Sequence, residues 1–159
     1  MTIEAPVSKF RKNNLKVYIV ACIAFAILFA YDGYLSKYQW SHRRSFYEEH
    51  LKEGRLDDTM IFNQTAPIFL VVLAAVLAGR LWTIKDKKLI ADENELVISD
   101  KEKISLDCIQ KIDKTNFGSK GYFIVTYKGK DGREIDRKFS DKTYDNLTAV
   151  LDKLVAKIS

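Results

Sequence analysis

The sequence predicts an α+β membrane protein: two transmembrane helices in an antiparallel hairpin, then an antiparallel β domain closed by a C-terminal α-helix. Three observations predict it. Two uncharged apolar stretches, residues 17–31 and 59–79, lie ahead of a charged C-terminal half. From Leu89 to Phe139 the apolar residues fall in short runs split by polar turns, as strands do. From Tyr144 onward they recur every three or four residues, as on one face of a helix.

The second stretch matches the roughly 20 residues that a bilayer-spanning helix needs. The first is shorter. Leu15 extends it inward, and Tyr34 and Leu35 extend it into the opposite interface, where aromatic rings are favoured. The expected spans are residues 15–35 and 59–82, with Trp82 holding the exit of the second. A basic N-terminus, 1–16, precedes them, a loop, 36–58, joins them, and residues 85–159 form the folded domain. A chain of 159 residues leaves room for one modest domain beyond the helices.

A basic start followed by an apolar run also describes a secretory signal, which needs small residues one and three positions before its cleavage point. Ala30 has Leu28 at the far position, and the pair Ala24 and Ala26 lies in mid-run. An uncleaved helix is the better reading. Lys9, Arg11, Lys12 and Lys16 flank the first span, and Arg80, Lys85, Lys87 and Lys88 follow the second. These basic residues press closest to the membrane on the two terminal flanks, which places both termini in the cytoplasm. Ala26 with Ala30, and Ala75 with Gly79, have the spacing that lets helices approach closely. In an antiparallel hairpin the two pairs lie at opposite depths and cannot meet within one chain.

In the loop, Tyr31, Asp32, Gly33 and Tyr34 read as a helix exit that turns at Gly33, and Tyr38 and Trp40 continue the aromatic belt. Ser41 is placed to cap a short helix running to about Glu53 and ended by Gly54. Phe46, Tyr47, His50 and Leu51 share one side of it, a face for the membrane or a partner. His42 and His50 stand too far apart to share an ion on one helix, and no HExxH spacing occurs. No metal site is expected. Cys22 lies in a span and Cys108 in the domain, so both read as packed thiols.

In the C-terminal half, residues 89–91 and 95–98 are strands around a turn at Asp92, Glu93 and Asn94. After the charged turn 100–103, residues 104–109 alternate and continue toward Ile112. Gly118 and Gly121 break the chain. Residues 122–127 are the strongest strand, β-branched and aromatic throughout, and a Gly-containing turn leads to its partner, 133–139. Ser140 or Asp141 then caps a helix whose stripe of Tyr144, Leu147, Leu151, Leu154 and Ile158 faces the sheet.

Residues 85–159 resemble the bacterial pleckstrin-homology-like (PH-like) domains. The resemblance rests on the 89–96 hairpin, the segment from Ile104 through Ile109 to Ile112, the strand 122–127 and the final helix. It implies a small bacterial inner-membrane protein with one or two helices ahead of the domain. It also implies a fold with an open barrel end and a groove between sheet and helix, able to take a peptide or a lipid head group, and no catalytic motif. Ser105 stands where the commoner form has Pro.

The net charge of +5 is spread among interspersed acids, which argues against a nucleic-acid partner. No Gly-rich phosphate loop or nucleophile–base spacing occurs, so neither an enzyme nor a cofactor is expected. Lys111, Lys114, Lys120, Lys128 and Arg133, with Lys130, Arg137 and Lys138 around them, are the candidates for contact with anionic lipid or a partner. The expected partners are the bilayer and another membrane protein or a second copy, and no small-molecule substrate is indicated. The reading is a membrane-anchored scaffold that presents its domain for protein–protein contact. The alternative is a membrane sensor or lipid-interacting subunit that uses the aromatic outer loop.

Overall fold

In the computed structural model, which describes residues 2–99, 102–129 and 131–158, Ile3–Pro6 forms a strand, β1, where a basic tail was expected. Ile3, Ala5 and Val7 alternate with polar or turn-forming residues, the period of a half-buried strand. Pro6 fits because β1 is an edge strand. Asp100, Lys101 and Lys130 lie outside the described residues, as does the side chain of Ile158.

The chain divides into two compact units, residues 1–13 with 83–159, and residues 14–82. In the first unit β1 pairs antiparallel with β4 (Lys88–Ala91), from Ile3 opposite Ala91 to Pro6 opposite Lys88. β5 (Glu95–Ser99) and β6 (Glu102–Ser105) complete a four-stranded sheet in the order β1-β4-β5-β6. The expected single strand from Ile104 toward Ile112 is instead split by a 3-10 turn, Leu106–Cys108. Leu106 is buried there, and the chain passes into a second, three-stranded antiparallel sheet. That sheet consists of β7 (Ile109–Asp113), β8 (Tyr122–Lys128) and β9 (Glu134–Ser140), in that order. A one-turn helix, α4 (Phe117–Lys120), joins β7 to β8.

One core serves both sheets. Ala5, Leu89, Leu96, Phe123, Val125 and Val150 are completely buried in it. Each large apolar side chain so buried contributes roughly 1.5–3 kcal/mol. The closing helix, α5 (Leu147–Ile158), starts six residues later than the expected Asp141 cap. Its buried side chains are Leu147, Val150, Leu151 and Leu154. Tyr144 is not on the helix; it forms an isolated bridge with Val7. Residues 142–146 are occupied in holding the N-terminal segment, and Asp141 N–H donates to Gly121 O, so the stretch is not free to wind.

The second unit contains most of two long helices, α1 (Lys9–Ala30) and α3 (Asp58–Ile84). Both are long and apolar enough to cross a membrane. α1 begins six residues ahead of the expected Leu15, and its continuation, Tyr31–Leu35, is a π-helical turn closed by Ser36 N–H to Tyr31 O at 3.0 Å. The expected turn at Gly33 is therefore absent. Gly33 is buried, and a Cβ built on it would stand 2.6 Å from the Asn63 carbonyl oxygen. Pro67, inside α3, has no N–H to offer that carbonyl, and the gap left in the ladder is where α1 packs. The Gly33 carbonyl accepts Gln64 Nε2–H at 3.0 Å, and Tyr34 Oη–H donates to Gln64 O at 2.7 Å. Phe29 meets Phe62 edge-on at 5.4 Å on the same contact.

The expected small pairs behave differently from each other. Ala26 is buried, whereas Ala75 and Gly79 are exposed and nothing lies within 4 Å of a Cβ placed on Gly79. Gly33→Ala should lower the thermal stability of the detergent-solubilised protein by about 1–3 kcal/mol, since backbone faces backbone there. Gly79→Ala should leave it unchanged or raise it by up to about 1 kcal/mol through helix propensity. Paired melting curves of the two variants check this.

The loop helix α2 (Arg44–Glu49) is shorter than expected. Beyond it Leu51–Lys52 (β2) and Arg55–Leu56 (β3) form a small hairpin. Glu53 and Gly54 both have positive φ, 51° and 76°, which suits the two-residue turn of a tight hairpin and stops the helix early.

Candidate functional site

Lys111, Lys114, Lys120, Lys128 and Arg133, expected to contact lipid or a partner, are exposed, but they do not converge. In the strand register Lys111 lies opposite Thr126, which lies opposite Asp136, and the Thr126 hydroxyl donates to Asp136 at 2.6 Å. In the next row Asp113, Ile124 and Lys138 are neighbours, and Lys138 Nζ sits 3.6 Å from the centre of the Tyr122 ring. The Asp113 carboxyl is held below its ordinary range by hydrogen bonds from Thr115. Lys128 faces Glu134, and Arg133 approaches Asp131 at 3.5 Å in the adjoining turn. Lys114 precedes α4 and Lys120 ends it, at the other end of the sheet. A seven-residue strand separates the two groups by roughly 20 Å. The face carries alternating charge, with a carboxylate near most of its cations.

Two constellations are more closely built. The first is the junction where α1 leaves the sheet domain. Val7 N–H donates to Lys87 O at 3.0 Å, and Ser8 N–H donates to Thr143 O at 2.9 Å. The buried Ser8 hydroxyl donates to Lys142 O at 2.6 Å and accepts Arg11 N–H at 3.1 Å, so it caps α1 and ties it to the segment before α5. Asp145 accepts Lys9 N–H at 3.1 Å and returns its own N–H to Pro6 O at 2.9 Å. Asn146 Nδ2–H reaches Glu4 O at 3.1 Å. Burial raises the Tyr144 phenol above its ordinary value, against the pull of nearby Arg137 and Arg11. Serine, aspartate and asparagine at these positions each satisfy a helix-end or edge-strand donor or acceptor.

The second is the loop that joins the two long helices. Arg43 forms a two-pronged pair with Asp32, 2.9 Å for each bond, which holds the guanidinium above its ordinary pKa. The same guanidinium lies 4.7 Å from the Phe46 ring centre, and Phe46 lies 4.3 Å from the His50 ring. His50 Nδ1 is 2.7 Å from Asp57 Oδ2. Asp57 Oδ1 accepts Met60 N–H at 3.1 Å, capping α3. A run of contacts therefore leads from the last turn of α1, through one face of α2, to the first turn of α3. Tyr38 and Trp40 stack nearby at 5.7 Å, and Trp40 is 65% exposed.

No protein-family model, curated protein or solved structure matches this chain.

His50 and Asp57 are both about four-fifths buried, and the hydrogen bond from His50 is the main reason the Asp57 carboxyl lies below its usual range. Stability from a depressed carboxylate is present above its unfolded pKa and lost as pH falls through the folded one. The cap on α3 should thus persist through the ordinary carboxylate range and fail only in stronger acid. Among the described residues no group of three His, Cys, Asp or Glu is arranged to hold a metal. Sequence reasoning missed Ser8, Arg43, Asp57, Asp145 and Asn146. Each is a common polar residue whose partner lies across a fold that periodicity does not encode.

Proposed function

We propose that this protein is a two-span inner-membrane scaffold that presents a PH-like domain at the cytoplasmic surface for contact with another membrane protein or a second copy. The carrying observation is the pairing of β1 with β4. Because of it, both long apolar helices start from and return to the same domain, so spans formed by them would place both termini on one side. The most apolar window of each helix is only 17% buried, unlike the core helix of a soluble protein. Val20, Ile27, Phe69 and Val76 are each more than half exposed, as lipid-facing side chains would be. Two antiparallel sheets around one core, with a single closing helix, support the PH-like reading. The basic flanks at Lys9, Arg11, Arg80 and Lys85 support the cytoplasmic side.

Accessibility labelling tests the orientation. On a background lacking Cys22 and Cys108, a single cysteine at Ser45 should label from outside intact cells, and one at Ser119 only after permeabilisation. Labelling of position 119 in intact cells would reverse the orientation. Co-purification in mild detergent should recover a defined partner or oligomer. A monomer alone under several gentle conditions would remove the scaffold reading.

A further inference from the structure

We propose that β9 is a dimerisation edge, pairing antiparallel with β9 of a second copy about a two-fold axis at Arg137. This pairing rests on the scaffold reading above and deepens it by naming the second copy as the partner. β9 ends the order β7-β8-β9 and is seven residues long. Gly129 N–H donates to Arg133 O at 2.8 Å, and Asp141 N–H donates to Gly121 O at 2.9 Å, at the two ends of the β8–β9 ladder. The parity of these bonds turns the odd-numbered residues of β9 toward β8 and the backbone groups of Glu134, Asp136 and Lys138 outward. Among the described residues, no hydrogen bond reaches those outward groups. Ser140 O already accepts Thr143 and Tyr144 N–H, so the free edge stops there.

The charges on the strand select the partner and the register. Asp136 and Lys138 lie on one face of the sheet, both exposed. About an axis at Arg137, Asp136 stands opposite Lys138 of the second copy, and Lys138 opposite its Asp136. Both are outward-facing residues, so each pair also exchanges backbone hydrogen bonds. The row then runs from Lys111, Thr126 and Asp136 of one copy to Lys138, Ile124 and Asp113 of the other, its charges alternating in sign. An axis at Asp136 or at Lys138 would set that residue against itself, and like charges directly opposite destabilise a sheet. The two side chains are already positioned, Asp136 by the Thr126 hydroxyl at 2.6 Å and Lys138 over the Tyr122 ring at 3.6 Å. On the other face Arg137 meets its own copy, but each guanidinium is paired within its chain to Glu102 at 2.8 Å. Beside it Ile135, 40% exposed, comes to lie opposite Phe139 of the second copy. Charges on an edge ordinarily discourage pairing with other chains. Their order here makes an exception of this chain itself.

Light scattering on the full chain in mild detergent should find a dimer for the wild type. Asp136→Lys and Lys138→Asp should each weaken it roughly tenfold or more, because both symmetric pairs become repulsive. Mixed with different affinity tags, the two single variants should capture each other, since lysines at 136 and 138 of one face aspartates at 138 and 136 of the other. The double exchange, Asp136→Lys with Lys138→Asp, should dimerise with itself and refuse the wild type, which reads the register even if a single variant fails to fold. Circular dichroism melts should stay close to the wild type, both positions being exposed. A monomeric wild type over the micromolar range, a dimer indifferent to both single variants, or single variants that do not capture each other would overturn the pairing. A dimer that ignores these charges, or a monomer that still co-purifies with another protein, overturns the pairing and leaves the scaffold reading standing.

Discussion

A fragment of residues 85–159 should fail to melt cooperatively, and joining residues 2–8 to its N-terminus through a short Gly/Ser linker should restore a sharp transition. The fragment lacks β1, which supplies Ala5 to the core at 0% exposure and pairs with β4 along its full length. It also leaves the 141–146 segment without Pro6, Ser8 and Glu4, which hold it before α5. A small domain has only about 5–15 kcal/mol of net stability. Losing a whole edge strand together with the covering of β4 takes a large part of that. In the fusion, Ala5→Asp should abolish the transition again, because an unpaired buried carboxylate costs several kcal/mol. Circular dichroism melts of the three proteins decide it. A fragment melting as sharply and as high as the fusion would show that the N-terminus is an accessory, and that the long helices are not an insertion within the domain.

Leu151→Asp carries the other large effect. Leu151 is 5% exposed and packs in the core shared by both sheets. A carboxylate buried in this apolar core should unfold the domain in the full chain, read as loss of the sheet signal and of the cooperative melt. Two adjacent positions calibrate the result. Asp152 is exposed, and Asp152→Lys should change stability by no more than about 0.5 kcal/mol. Lys153 looks equally innocuous in the helical pattern, but its Nζ donates to Ala91 O at 2.9 Å and stands near Asp92. Asp92 is held below its ordinary range, first by the Thr2 hydroxyl and in part by this lysine. Lys153→Glu removes that bond and adds like charge, and should cost roughly 1–2 kcal/mol. Equal melting temperatures for wild type and Leu151→Asp would mean that α5 does not close the sheets.

What the amino-acid sequence alone determined is local. Uninterrupted apolar runs marked both long helices, because helix length and hydropathy are summed along the chain. The short apolar runs at residues 89–91 and 95–98 and the β-branched and aromatic run at 122–127 marked β4, β5 and β8, and the stripe from Leu147 to Leu154 marked α5, since each buries one face of a short segment. What only the tertiary structure decided is non-local. Ile3 and Ala5 have the period of a strand, but their partner β4 lies more than 80 residues away, beyond both helices. Ser105, Leu106 and Asp107 continue an alternating pattern, yet the chain turns there to change sheets, because one flat strand could not cover both sides of one core. Gly33 has the composition of a turn, and its meaning comes from the Asn63 backbone against which it packs. His50 is one residue among several polar ones until the hairpin at Glu53 and Gly54 folds Asp57 back to it. Periodicity reports which face of a segment is buried. Which segment covers that face is settled by packing between parts of the chain far apart in sequence.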